Sequence, residues 1–407
     1  MWLRIAVLFC IVTLSMPIAA GEKANTLTKQ EATEGWLLLF DGESTFGWDV
    51  DGEVAVKDGM LVVGGKKKTT MVFRTPFQHF SLRCDGKLGD KGKEKARFFL
   101  VDVNDKTNAA AFSLGVRNPP GVNKTVWGTY RFSIFREGKQ SSYMPGAVYD
   151  LGNNGQAGLE GIPQKIKNLS AYALKIQVPA NEKVYLKNIK LKPGNTVSLF
   201  NGKSLANWKV LPGYKSKYTV TEEGWMNVKD GRGDIQTLDT FKNFVLQLDC
   251  ISNGEHLNSG IFFRCIPNQY QQGYEAQIRN QFTPGEERVY KLNKYDPKTH
   301  EKLGTYEVKS TAFDYGTGAI YRRMPARKGV AKDKEWFTLT VAAHDRHLAT
   351  WVNGIPVADW TDHRPKDDNA RKGYCPNPGV ISIQGHDPTT DLSFRNFRIS
   401  EITTPKK

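Results

Sequence analysis

The chain repeats itself, and the repeat limits the folds open to it. Residues 38–50 read Leu-Leu-Phe-Asp-Gly-Glu-Ser-Thr-Phe-Gly-Trp-Asp-Val, and residues 198–210 read Ser-Leu-Phe-Asn-Gly-Lys-Ser-Leu-Ala-Asn-Trp-Lys-Val. Phe40, Gly42, Ser44 and Trp48 stand over Phe200, Gly202, Ser204 and Trp208 at a constant offset of 160. The closing segments also match. Val184–Leu191 (Val-Tyr-Leu-Lys-Asn-Ile-Lys-Leu) lies over Leu392–Ile399 (Leu-Ser-Phe-Arg-Asn-Phe-Arg-Ile) at an offset of 208. The second copy is therefore 48 residues longer between the shared ends, and the extra length belongs in loops or added strands. A length of 407 residues suits two domains. Their expected bounds are 35–192 and 196–402, joined by the short Pro193-Gly194-Asn195 linker, so the two modules are expected to touch.

Both copies carry a strand pattern. Phe244–Ile251, Trp336–Ala343 and Leu348–Val352 alternate or run apolar and are rich in β-branched and aromatic residues. Asn253-Gly254 and Asn353-Gly354 mark turns between them. No stretch holds a 3.6-residue period for three turns. Many short strands so spaced point to an all-β sandwich or jelly roll.

The first twenty residues have the layout of a secretory leader. Arg4 precedes an apolar run from Ile5 to Met16, and Ala19-Ala20 offers small residues for cleavage near Ala20. The run is short for a membrane span of ~20 residues. No second apolar run of that length follows, so the mature chain is expected to have no membrane span and to be secreted or periplasmic. The net charge of +15 raises the question of nucleic acid. The lysines and arginines are scattered rather than striped, and export argues against such a partner. Solubility, or attraction to an acidic surface or polyanionic glycan, is the better reading. Four cysteines remain after the leader, too few for a disulfide scaffold. Cys250 and Cys265 suit either a cross-strand bridge or buried free thiols, and no Cys-x-x-Cys pair suggests zinc.

Three segments of the second copy could carry chemistry. Asn258-Ser-Gly-Ile-Phe-Phe-Arg264 alternates a long cation with Ile and Phe, which suits either a snorkelling edge arginine or a site. Gly273-Tyr-Glu-Ala-Gln-Ile-Arg279 sets Glu275, Gln277 and Arg279 on one face of a strand, a ladder that also fits a plain wet face. Val380-Ile-Ser-Ile-Gln-Gly-His386 sets Ser382, Gln384 and His386 on one face. Between the second and third lies Thr283–Gly316, a Lys-, Glu- and Tyr-rich insertion that suits a lid, an interface or a long loop.

Taken in order, these segments resemble the 3-keto-disaccharide hydrolase domain family. The matching elements are Leu199–Trp208, Asn258–Arg264, Gly273–Gln277, Thr317–Tyr321 (Thr-Gly-Ala-Ile-Tyr), Trp351–Gly354 (Trp-Val-Asn-Gly), Gln384–His386 and Phe394–Ile399. One departure concerns the histidine. The family reads Leu-Gln-Asp-His-Gly where this chain has Ile383-Gln-Gly-His-Asp387, moving the acid to the other side of His386. The first copy keeps only the shared ends and reads Lys95-Ala-Arg-Phe-Phe-Leu-Val where the second has its Asn258 segment, so a packing role or weak glycan binding is expected of it.

The resemblance implies two tandem concanavalin A-like jelly-roll β-sandwiches and a carbohydrate substrate already oxidised to a ketone at carbon 3. Ordinary glycoside hydrolysis needs two carboxylates ~5–10 Å apart, and the second copy offers one obvious candidate, Glu275. A 3-keto group acidifies C2–H, so one base, one electrophile at the ketone oxygen and donors for the hydroxyls suffice. The expected base is Glu275 or His386. Arg264, or a divalent metal near Glu275 and His386, would stabilise the enolate. Asn258, Gln277, Tyr321 and Gln384 would hold hydroxyls, and Trp351 would stack on the ring. No cofactor is required by the sequence, and the metal has no spacing signature. Two other classes stay open: a lectin-like glycan-binding module, which needs no base, and an envelope interaction protein, which binds no sugar.

Overall fold

The computed structural model describes residues 23–89, 96–113, 127–137, 140–150, 156–160, 164–165 and 170–403. The expected leader at 1–20 lies outside them. The described chain is almost all strand, arranged as two jelly-roll β-sandwiches of concanavalin A-like type. No described helix is long and apolar enough to cross a membrane.

The repeated residues are those that close each sandwich. In the first copy the Trp48 indole N–H donates to Leu39 O at 2.7 Å; in the second, Trp208 donates to Leu199 O at 3.0 Å. Asp41 and Asn201 each accept two backbone N–H groups in the turn between, a local bond these side chains favour. The closing segments share a second device. Asn188 and Asn396 both take positive φ, 51° and 55°, at a β-bulge in strands Val184–Pro193 and Asp391–Glu401. Each amide then donates at 2.7 Å to an aspartate on the neighbouring strand, Asp85 or Asp249. Asparagine tolerates this backbone region better than most residues, which explains its place in both copies.

Each module packs a large sheet against a five-stranded one. In the second module the smaller sheet comprises β1 (Trp208–Val210), β2 (Gly233–Thr237), β3 (Ser259–Cys265) and β4 (Tyr274–Ile278). The chain then forms a separate hairpin, β5 (Arg288–Tyr295) with β6 (Lys302–Ser310), and returns as β7 (Val380–Gly385). The sheet order is β1-β2-β7-β3-β4. Ile235, Ile261, Phe263, Tyr274, Ala276, Ile278, Ile381 and Ile383 turn inward to the core. The first module repeats the order with Trp48–Asp51, Thr69–Phe73, Tyr172–Val178, Arg97–Asp102 and Asn108–Ser113. The Thr283–Gly316 insertion is thus largely a hairpin, and it supplies part of the second copy's extra length. The four described cysteines are buried free thiols, and Cys250 and Cys265 are not bridged.

The modules share an apolar seam. Val245, Ala342, Ala349 and Trp351 of the second join the core cluster of the first. Trp351 is 1% exposed, and its indole N–H donates to Leu38 O at 3.0 Å. Around it, Arg74 pairs with Asp359 at 2.8 Å, Gln247 donates to Gly35 O at 3.0 Å, and Arg327 meets Asp41. The expectation that Trp351 stacks on a sugar is therefore corrected: the ring lies in the seam because its strand faces the other module. Trp351→Ala should lower the unfolding free energy by about 3–5 kcal/mol, the usual range for deleting a large buried aromatic. Denaturant titration would show this, with sugar affinity unchanged.

Candidate functional site

The second module's smaller sheet has a largely polar outer face, because every second residue on β2 and β4, and Ser382 and Gln384 on β7, are polar, with Gly260 and Phe262 of β3 between them. Asp234 and Gln236 project from β2, Ser382 and Gln384 from β7, and Glu275 and Gln277 from β4, all buried. Register fixes their arrangement. Gln236 lies beside Ser382, Ser382 beside Phe262, and Phe262 beside Glu275. One row over, Asp234 lies beside Gln384, and Gly260 separates that residue from Gln277. Gly260 therefore leaves a trough flanked by two amides. The Oε1 atoms of Gln277 and Gln384 are both buried with no hydrogen-bond partner. Buried carbonyl oxygens in that state are costly, and hydroxyl donors would satisfy them.

Three loops roof this face. Residues 266–272 cover β2, with Gln271 N–H donating to Asp234 at 2.9 Å and Asn268 N–H to Gln236 at 2.9 Å. The return from the β5–β6 hairpin brings Asp314, which accepts from Asn258 Nδ2 at 3.1 Å and Gln277 Nε2 at 3.2 Å. The 362–379 loop brings Arg371, whose guanidinium is 3.0 Å from Glu275 Oε2 and lies over the Phe262 ring at 5.0 Å. Beside Glu275 opens a cavity of about 410 Å³, lined also by Tyr321, Arg322, Arg323 and Arg371.

Burial sets the protonation of the acids. It pushes the Glu275 carboxyl up to about 7 against the opposing Arg371 charge. Burial likewise lifts Asp234 to about 7, against the hydrogen bond from Gln271. A carboxylate titrating near neutrality is half available as a base at neutral pH. Gly260 is required for Glu275 to sit there, since a Cβ at 260 would lie 2.8 Å from Glu275 Oε1.

A family model for the 3-keto-alpha-glucoside-1,2-lyase-like domain matches the chain twice, over residues 35–191 and 195–400. The protein belongs to this family. The protein is accordingly carbohydrate-active. It matched no curated protein. Similar solved structures include two candidate glycosyl hydrolases from Parabacteroides distasonis. One is 21% identical with a TM-score of 0.37, covering 51% of this chain and 94% of its own. The other is 23% identical with the same TM-score, covering 51% and 100%. A carbohydrate-binding module from Bacillus subtilis is 14% identical at a TM-score of 0.30, covering 48% of this chain and 96% of its own. Likenesses this distant carry nothing about function.

The expected site residues divide. Glu275, Gln277, Asn258, Tyr321 and Gln384 come together, with Tyr321 N–H donating to Glu275 O at 2.9 Å. Arg264 does not join them. Between Phe262 and Cys265, β3 carries one residue more than β7 opposite, and Arg264 takes φ 49° there. The bulge swings the guanidinium away from Glu275 to donate to Lys242 O at 2.7 Å and to Asn243 and Asp345. Its expected enolate role is corrected on that ground; Arg371 holds the position by Glu275. His386 stands past the end of β7, its Nδ1 2.9 Å from Asp387 Oδ2. It is four residues beyond Ser382 and two strands from Glu275, roughly 13 Å along and 10 Å across at ordinary strand spacings. Among the described residues no three His, Cys, Asp or Glu side chains gather to hold a metal. At that separation Glu275 and His386 do not share one ion. Sequence reading missed Asp234, Asp314, Arg322 and Arg371. Only Asp234 had a local signal, the Asp-Ile-Gln alternation of β2.

Two outcomes follow from this geometry. Gly260→Ala should displace the Glu275 carboxylate and lower sugar turnover at least about tenfold with little change in Tm. Glu275 binds protons more tightly folded than unfolded, so its stabilisation is complete below pH ~4.5 and lost as pH rises through about 7. Glu275→Gln should therefore gain on the wild type by roughly 3 kcal/mol between those limits, measured by denaturant titration across pH.

Proposed function

We propose that the second module cleaves 3-keto-glycosides by elimination and hydration, with Glu275 as the proton-transfer group. The observation that carries this reading is Glu275 itself: a buried carboxyl near neutral pKa, held by Arg371 at 3.0 Å and opening into a sugar-sized cavity. The Glu275 carboxylate takes the C2 proton of the 3-keto sugar. The C–H electron pair moves into a C2=C3 enolate, whose negative oxygen is met by the Arg371 guanidinium. The enolate collapses back to the ketone, forms C1=C2 and expels the aglycone oxygen from C1. The protonated Glu275 returns its proton to that oxygen, releasing an alcohol. Water then adds across C1=C2, hydroxyl to C1 and proton to C2, so the net result is hydrolysis. Tyr321 lines the cavity and holds a sugar hydroxyl, while Gln277, Gln384 and Asn258 stand on the same side of the sheet outside the cavity lining. One acid–base group suffices, which suits a face with a single carboxylate at the cavity.

The first module plays a supporting part in this reading. Its edge strand corresponding to β4, Asn108–Ser113, reads Asn-Ala-Ala-Ala-Phe-Ser and has no carboxylate to serve as base. The chain acts outside the cytoplasm, on the strength of its N-terminal leader pattern, and fractionation should recover a mature form lacking about the first twenty residues.

The test is turnover of a 3-keto-glucoside. Glu275→Gln should abolish aglycone release, and wild-type kcat/KM should rise with pH through about 7 as the carboxylate forms. Arg371→Gln removes the charge that favours the carboxylate, so the inflection should move to higher pH. Sugar binding with no turnover would favour a lectin, and full activity in Glu275→Gln would remove it from the mechanism.

A further inference from the structure

The cavity beside Glu275 holds more positive charge than the reaction requires. Arg322, Arg323, Arg364, Arg371 and Lys372 line it with Glu275. Two of the cations are balanced: Arg371 by Glu275 at 3.0 Å, and Arg364 by the buried Asp362 at 2.7 Å. The remaining three pair with no carboxylate among the described residues. Arg323 donates to the backbone carbonyls of Arg322 and Arg371. Of the other acids near Glu275, Asp314 is taken up by Asn258 and Gln277, and Asp234 accepts from Gln271 N–H. Burial, and then the Arg364 charge, hold Arg323 down at about 10 against the opposing Asp362 charge. Arg322 and Lys372 are exposed and Arg323 is half-buried, so a negative group entering the cavity would meet three cations that no carboxylate holds.

We infer that the sugar taken by this site carries an oxyanion, a carboxylate, sulfate or phosphate, which Arg323 and Lys372 receive. The inference rests on the proposed 3-keto-glycoside reading for the identity of the pocket and names its substrate class. A planar guanidinium and an ammonium make charge-assisted hydrogen bonds to such oxygens. The enolate is already met by Arg371, so these cations act on binding. An acidic 3-keto-glycoside should show a lower KM than the neutral one, with similar kcat.

Calorimetric binding of glucose, glucuronate, glucose 6-sulfate and glucose 6-phosphate to the full chain tests this without any keto group. At least one acidic sugar should bind about tenfold or more tighter than glucose, and which one identifies the oxyanion. That preference should shrink several-fold between about 20 and 500 mM salt. Arg323→Gln and Lys372→Gln should each reduce it while glucose affinity holds. Equal affinity for glucose and all three acidic sugars, or a preference that neither substitution moves, would overturn the inference. If Arg323→Gln fails to fold, the exposed Lys372 decides alone. Tight acidic-sugar binding without turnover of any 3-keto-glycoside would sink the catalytic reading and leave the anion site standing. Turnover of the neutral substrate without anion preference would do the reverse.

Discussion

A sheet buried on both faces must satisfy, or leave unsatisfied, every polar side chain it carries. The β1-β2-β7-β3-β4 sheet gives one face to the apolar core and roofs the other with loops. Its polar face is therefore desolvated, and the chemistry of the site depends on that. Desolvation raises Glu275 and Asp234 into the neutral range. It leaves the Gln277 and Gln384 carbonyl oxygens without partners. It also makes the Arg371 guanidinium a strong neighbour, since a charge acts more strongly where water is excluded. An open sheet with the same residues would present an ordinary wet face.

The duplication shows what such a face adds. Both copies use the same five-strand order and the same closing devices, a tryptophan tied to a backbone carbonyl and a bulged asparagine tied to an aspartate. They differ at the edge strand: Tyr-Glu-Ala-Gln-Ile in the second, Asn-Ala-Ala-Ala-Phe-Ser in the first. The first copy lends its core to the seam instead. Trp351, Val245 and Ala349 complete that core from the other side, so the second module's larger sheet leans on the first module rather than on water. The short helix Lys29–Glu34 and the turn after it add polar ties from the N-terminal side, where Thr33 O accepts from Arg398 and Gly35 O from Gln247.

Much of this was legible in the residues, for definite reasons. The repeated ends marked two modules because their bonds are local or run to the next strand. Glu275, Gln277 and Gln384 could be placed on one kind of face because strand alternation is strict where register is regular. Arg264 broke the rule through one extra residue in β3, and an alternation count cannot show a bulge. Trp351 obeyed alternation, but its face met the other module, which no pattern within one copy reveals. Arg371, Arg322 and Asp314 reach the site from loops nearly 40 to 100 positions from Glu275 in the chain. Their nearness is tertiary and left no spacing to read. The histidine motif showed its departure plainly, and the acid that follows His386 now pairs with it past the strand end.

The proposed reaction requires Glu275 to remove the C2 proton before the glycosidic bond is cleaved. Following a 3-keto-glucoside in D2O by proton NMR, over times too short for uncatalysed exchange, tests it most directly. Elimination and hydration must place solvent deuterium at C2 of each released 3-keto sugar, with none incorporated by Glu275→Gln. Release of a product that keeps its C2 protium would exclude this reaction, because the bond would then have been cleaved without the enolate.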